Sequence, residues 1–222
     1  PFAAGRDGGQ MDIAVQQGRL DATIKVNASP VASSQFMVFN WNKASDPFKQ
    51  SLFRSDKFRR AMSHLVNRQA VIDIVYGGLG TPMYSSVYPV LTQWINPKVP
   101  KYEYDPKQAA KLLAELGFTK KDREGYLVDS KGRRIEFNLA TNAGNTQREQ
   151  IAKLIVDEAK KVGVKVNFQA IDFNTLVGQL LSSGPDRPFD AIIIGLTGGG
   201  LDWPFGSNVV PCKGNLHMWN KS

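Results

Sequence analysis

Three short segments carry the residues of this chain best suited to meet a ligand: Asn142-Ala143-Gly144-Asn145, Asp172-Phe173-Asn174, and Thr197 to Trp203 with its Gly198-Gly199-Gly200 run and Asp202. A carboxamide offers a donor and an acceptor together, glycine exposes its backbone, and an indole supplies apolar area with one donor. That mixture suits reversible capture of a polar organic molecule better than bond-breaking. A second group of aromatics, Tyr84, Tyr88, Trp94, Tyr102 and Tyr104, lies in a proline-rich stretch, and Tyr84 and Tyr88 are candidates to line the same cleft.

Catalytic alternatives find little to stand on. No Gly-x-Ser-x-Gly elbow occurs, and no Gly-Lys-Ser/Thr phosphate loop. Gly198-Gly199-Gly200 follows an apolar strand, but Pro204 and aromatics come next, not a capped helix. Asp186, Asp190 and Asp202 lack metal-ligand spacing, and Asp190, at a strand's start, reads as structural. Cys212 is the one cysteine and forms neither an internal disulfide nor a zinc site by itself. His64 sits on a helix beside an apolar stripe and reads as a surface residue; the other histidine is His217. Paired acids for glycoside chemistry depend on separation in space, which spacing along the chain leaves open. A hydrolase using the same cleft is therefore the alternative reading. No cofactor is implied.

The elements that must position these loops are legible from periodicity. Gln35 to Trp41, with Phe36, Val38 and Phe39, reads as a buried strand, and Asp21 to Val26 as a short one; the first 45 residues are otherwise irregular, and Asp46-Pro47 marks a loop. From Ser55, apolar residues Phe58, Ala61, Met62, Leu65 and Val66 recur at helical spacing. Asn67 opens a second helix that Gly77-Gly78 closes. Residues 80 to 104 show no period and read as a long ordered loop, a type that is often functional. Asp105-Pro106 caps and starts a helix ending at Gly117. A hairpin is expected next, Tyr126 to Val128 and Arg133 to Thr141 around the turn Asp129-Ser130-Lys131-Gly132.

Beyond the hairpin the order becomes strand, helix, strand, helix, strand. Thr146 and Glu149 read as a capping box for a helix carrying Ile151, Leu154, Ile155, Ala159 and Val162. Val164, Val166, Phe168 and Ala170 alternate as a strand. Asp172 caps a helix with Leu176, Val177, Leu180 and Leu181. Phe189 to Leu196 is apolar without alternation, as in a strand covered on both faces. Two consecutive βαβ units predict an α/β fold with parallel strands flanked by helices. Ligands of such sheets sit beyond the carboxyl ends of the strands, and that rule selects the three loops named above.

Composition sets the frame. The 222 residues are 42% hydrophobic and 22% charged, ordinary for a globular chain with a sizeable core. The net charge of +8 is spread over Lys25, Arg59, Arg60, Lys120, Lys121, Arg133, Arg134, Lys160 and Lys161, not gathered on one element, so no nucleic-acid partner is expected. No apolar run approaches the roughly 20 residues of a membrane span. The chain opens at Pro1 without a methionine and stops at Ser222 in mid-pattern; it reads as a fragment, so the parent protein's leader is left open.

The ordered motifs resemble a family. Phe39-Asn40, then Phe58-Arg59-Arg60-Ala61-Met62-Ser63-His64-Leu65-Val66-Asn67-Arg68, is similar to a stretch of the peptide/nickel type of extracytoplasmic solute-binding proteins of ABC importers. Gly78-Leu79-Gly80-Thr81-Pro82, Tyr104-Asp105-Pro106 through Gly117, Asp129 to Gly132, Ile151 to Val166 and Phe189-Asp190 follow in the same order as in those proteins. The resemblance runs over about residues 36 to 205. It implies a two-lobed periplasmic-binding-protein-like fold (type II), with residues 1–38 the end of the first lobe and the hinge, and 39–222 an incomplete C-terminal lobe. It also implies a binder, not an enzyme, that captures peptides or similar small polar solutes outside the cytoplasm and hands them to the permease subunits of an ABC transporter. A lipid anchor beyond this stretch would be its one membrane association. The expected ligand-contacting residues are Asn40, Tyr84, Tyr88, Asn142, Asn145, Thr197, Gly198, Asp202 and Trp203. In dipeptide and oligopeptide binders, the loop after the Phe-Asp strand carries a Trp and an Asp that pairs with the peptide's ammonium. Here Leu196 and Gly199 hold those places. Asp202 and Trp203 lie three and seven positions later than Gly199 and Leu196 and are the candidates to stand in; otherwise the ligand lacks a free amine, and the family so resembled also includes sugar, nickel-chelate and opine binders.

Overall fold

The computed structural model describes residues 8–24, 33–182, 184 and 186–197. Its centre is a four-stranded sheet built from β1 (Ser33–Phe39), β4 (Glu136–Asn142), β5 (Lys165–Ile171) and β6 (Ala191–Thr197), in the order β1-β6-β4-β5. β4 runs parallel to both β5 and β6, whereas β1 is antiparallel to β6 over all seven residues, from Ser33 opposite Thr197 to Phe39 opposite Ala191. The sheet is mixed, and the antiparallel strand enters at one edge. Residues 33–38, assigned from sequence to the first lobe and hinge, are thus hydrogen-bonded into this sheet.

Helices cover both faces. α3 (Asp56–His64), α5 (Pro106–Glu115) and α6 (Thr146–Val162) carry Phe58, Ala61, Leu113, Ile155 and Ala159 into one core with Phe137, Leu139 and Ile193 of the sheet. α7 (Phe173–Leu180) covers the other face through Leu176 and Leu180, against Ala140 and Ile192. Ile192 and Ile193 face opposite cores, which is why β6 shows no alternation in the sequence. Within the larger core, Phe39, Phe53, Phe58 and Phe137 form an aromatic cluster with ring centroids 5.1 to 6.4 Å apart.

Several sequence expectations need correction. A helix α1 (Gly8–Gln16) stands in the segment read as irregular. Asp21–Ile24 form no strand, and residues 25 and 26 lie outside the described part. Asp46-Pro47 opens a helix, not a loop: Asp46 accepts from the backbone N–H of Phe48 and Lys49, and Pro47 takes the first position of α2 (Pro47–Arg54). The cap of α6 is Asn145, one residue earlier than expected, and Glu149 reaches back to the Gly144 N–H. Leu181 is the C-cap of α7 and is exposed, so it is not part of that helix's inner face. The hairpin forms at its turn, where Val128 bridges Arg134, but Leu127–Val128 (β3) pairs mainly with β2 (Lys120–Lys121), a strand sequence did not reveal.

The long loop over 80 to 104 has no regular element, as expected. Arg68, at the start of α4 (Arg68–Tyr76), fastens it by donating to the carbonyls of Met83 and Tyr102. His64 is likewise structural: its Nδ1 lies 2.6 Å from the Glu103 carbonyl and its ring meets Tyr102 edge-on.

Candidate ligand-binding site

Parallel strands place the carboxyl ends of β4, β5 and β6 on one edge of the sheet, where β1 begins. Asn142 lies opposite Ile171, and the Ala143 N–H donates to the Ile171 carbonyl, so the first two loops leave the edge side by side. A recess of about 270 Å³ opens there, lined by Asn142, Ala143, Gly144, Asn145 and Gln147. Asn145 caps the 17-residue α6, whose dipole favours electron-rich groups at this end. Asp172 caps α7 next to it, accepting from Thr175 N–H; Phe173 is 52% exposed.

Arg148, in the first turn of α6, organises the edge. Its Nε donates to Gln35 Oε1 on β1 at 2.8 Å, and its Nη1 to Asn142 Oδ1 at the end of β4 at 2.6 Å. Both partners are neutral, and among the described residues no carboxylate forms an ion pair with it. Burial lowers the affinity of this guanidinium for its proton, and the nearby Tyr76 oxygen works the other way. Burial in turn raises the Tyr76 phenol, opposed by Arg148, and the Tyr76 hydroxyl is buried with no hydrogen-bond partner among the described residues. Gly195 on β6 lies beneath: a Cβ there would stand 2.7 Å from Arg148 Nη2 and from Gln35 Nε2. Neither Gln35 nor Arg148 was among the residues selected from sequence. The signal that could have found Arg148 is a cation in the first turn of a helix, where the dipole disfavours it.

The sequence-selected residues divide. Asn142 and Asn145 line the recess together. Tyr88 joins them at the edge, its hydroxyl donating to the Leu196 carbonyl at 3.3 Å, with Thr197 the next and last residue of β6. Tyr84 packs elsewhere, over the guanidinium of Arg68 at 4.9 Å and near Lys101. Asn40 is fully buried at the opposite end, beside the start of β6, where its amide donates to the Phe189 carbonyl at 3.0 Å and accepts from the Lys43 N–H. Asp190, read as structural, pairs with Lys49 at 2.7 Å and accepts from the Asn138 N–H. Gly198, Asp202, Trp203, Cys212 and His217 lie outside the described residues. No cluster of three metal-ligating side chains occurs among the described ones.

This sheet edge, with the ordered motifs, coincides with a match to the bacterial extracellular solute-binding proteins, family 5, over residues 6 to 214. The chain belongs to that family. A probable ABC transporter-binding protein of Deinococcus radiodurans is 53% identical, over 96% of this chain and 37% of that protein. The oligopeptide-binding protein AppA of Bacillus subtilis is 34% identical over 72% of this chain and 28% of its own length. The structure of AppA in complex with a nonapeptide superposes with a TM-score of 0.59 at 27% identity, over 86% of this chain and 39% of that one. The chain therefore spans about a third of the length of the relatives it matches. Family members named for binding dipeptides, heme and nickel match at lower identity than these two relatives. The fold is that of type II periplasmic binding proteins. No described helix is long and apolar enough to cross a membrane.

Proposed function

We propose that this chain forms part of the substrate-binding component of an ABC importer and that the protein containing it captures peptides or similar polar solutes outside the cytoplasm. The observation that carries the reading is the family match over nearly the whole chain, with a sheet edge that gathers amides, a helix N-terminus and a guanidinium. Such groups bind and orient; the reading is capture without turnover, followed by delivery to the transporter's permease subunits. The ligand-facing residues are proposed to be Asn142, Asn145, Tyr88 and Thr197, with Gly198, Asp202 and Trp203 following them in sequence. The segment up to about residue 38 would lead in from a first lobe, and the remainder would build the second. Any lipid anchor would lie outside this stretch.

Native mass spectrometry of the freshly purified full-length protein tests this reading. Binding proteins that close around their ligand release it slowly, so a retained mass in the peptide range is expected. Recovery of cleaved products from added peptides or glycosides would instead favour a hydrolase. Asn142→Ala and Trp203→Ala should each weaken retention while the melting temperature stays within a few degrees; unchanged retention in both would remove the site assignment.

A further inference from the structure

The hydrogen bonds of Arg148 fix more than its own position. A guanidinium has five donors and no acceptor, so only the oxygen of a carboxamide can face it. Nε of Arg148 takes Gln35 Oε1, and Nη1 takes Asn142 Oδ1. Both amides are thereby held in one of their two flips, with the oxygen on the guanidinium. Among the described residues no acceptor takes the NH₂ of either. Left alone, each amide could turn over; beside Arg148 its oxygen is engaged and its NH₂ is held as the donor. Gly195 makes this possible, because its missing Cβ is the space in which Arg148 Nη2 and the Gln35 amide sit. The positive end of α6 and the charge of Arg148, which no described carboxylate pairs, add a field of the same sign.

Resting on the receptor reading, we infer that Arg148 is a positioning residue that converts Gln35 and Asn142 into a pair of fixed N–H donors, so that this part of the cleft takes an oxygen acceptor of the ligand, a carbonyl or carboxylate. It brings together Gln35 of β1 and Asn142 at the end of β4, 107 positions apart in sequence (142 − 35). Arg148 acts through the two amides.

Two measurements on the full-length protein test this together. The first needs no ligand: ¹⁵N relaxation of the side-chain NH₂ groups of Asn142 and Gln35, in wild type and Arg148→Met. Both groups are expected to be ordered in wild type and to gain motion in the variant; unchanged order would overturn the positioning role. The second is calorimetric titration with a pool of nine-residue peptides as the probe. Arg148→Met should weaken binding about tenfold, as loss of the fixed donors predicts. In a Gln35→Ala/Asn142→Ala background, the same substitution should cost less than about twofold, because its intermediaries are gone. Equal penalties in both backgrounds would overturn the inference by showing that Arg148 meets the ligand itself. A wild-type protein that ignores the peptide pool would sink the peptide reading, and the relaxation data would still judge the positioning role.

Discussion

Gly195 shows how a single residue can matter to binding without mattering much to stability. A methyl group there would meet the ends of two flexible side chains, Arg148 Nη2 and the Gln35 amide, not backbone. Both can swing aside, so Gly195→Ala is expected to destabilise the protein by about 1 kcal/mol, the low end of the overpacking range. Their displacement would release Asn142, and ligand affinity should fall severalfold. Calorimetric titration beside a thermal melt separates the two effects; a large fall in melting temperature with affinity intact would show the opposite. Asn40 is the reverse case. Its type and place in the motif suggested a cleft residue, yet burial and three backbone partners make it a fastener between the end of β1 and the approach to β6. Sequence could not separate the two, because a buried and a ligand-facing amide look alike until the partners are known.

At the scale of elements, caps do much of the placing. Asn145 ends the loop of the recess and starts α6 with one side chain, accepting the Arg148 N–H at 3.0 Å. Asn145→Ala is expected to cost about 1 kcal/mol in urea unfolding, the usual loss for an N-cap. Affinity should fall as well, since the first turn of α6 carries Arg148. A variant as stable as wild type would show that Glu149, bonded to the Gly144 N–H, suffices as the cap. Helices α3 to α7 were legible because their caps and apolar spacing are local. α2 was missed although its cap is strong: eight residues give barely two turns of periodicity, and Asp46-Pro47 serves a turn equally well. β2 was missed for the same reason, two exposed lysines carrying no pattern.

The whole molecule rests on the core between the sheet and α2, α3, α5 and α6. Phe137, fully buried, contacts three other phenylalanines from three separate segments. Phe137→Ala should therefore cost about 3–5 kcal/mol; a loss under about 1 kcal/mol in chemical denaturation would contradict the packing. Charge contributes at the rim. Burial alone would raise the Glu136 carboxyl, but hydrogen bonds from Asn167 and Lys165 and the charges of Lys165 and Arg134 hold it below its ordinary value. Asp122 and Asp129 behave similarly: burial opposes, and backbone N–H groups with Arg134 or Arg133 prevail. Groups with lowered values in the folded state contribute stability that is complete above the ordinary carboxylate range, near pH 4, and that is lost as pH falls through their lowered values. The urea midpoint should hold from pH 7 to about 5 and drop by pH 3. A midpoint unchanged at pH 3 would show that these networks add nothing.

The sequence by itself determined the parts whose information is local: the caps of α4, α5 and α7, the periodicity of α3 to α7, the alternation of β5, the unbroken apolar run of β6, and the order of motifs that marks the family. From βαβ connectivity it also placed the carboxyl ends of β4, β5 and β6 on one sheet edge, since crossover handedness and parallel pairing leave little choice. What only the tertiary structure decided depends on contacts between distant segments. β1 enters antiparallel beside β6, more than 150 residues away, and nothing local specifies that partner. Asn40 goes to one end of the sheet and Asn142 to the other. Arg148 joins β1 to β4 because a sheet order that brackets β6 between β1 and β4 brings their ends under one helix terminus, within reach of a single guanidinium.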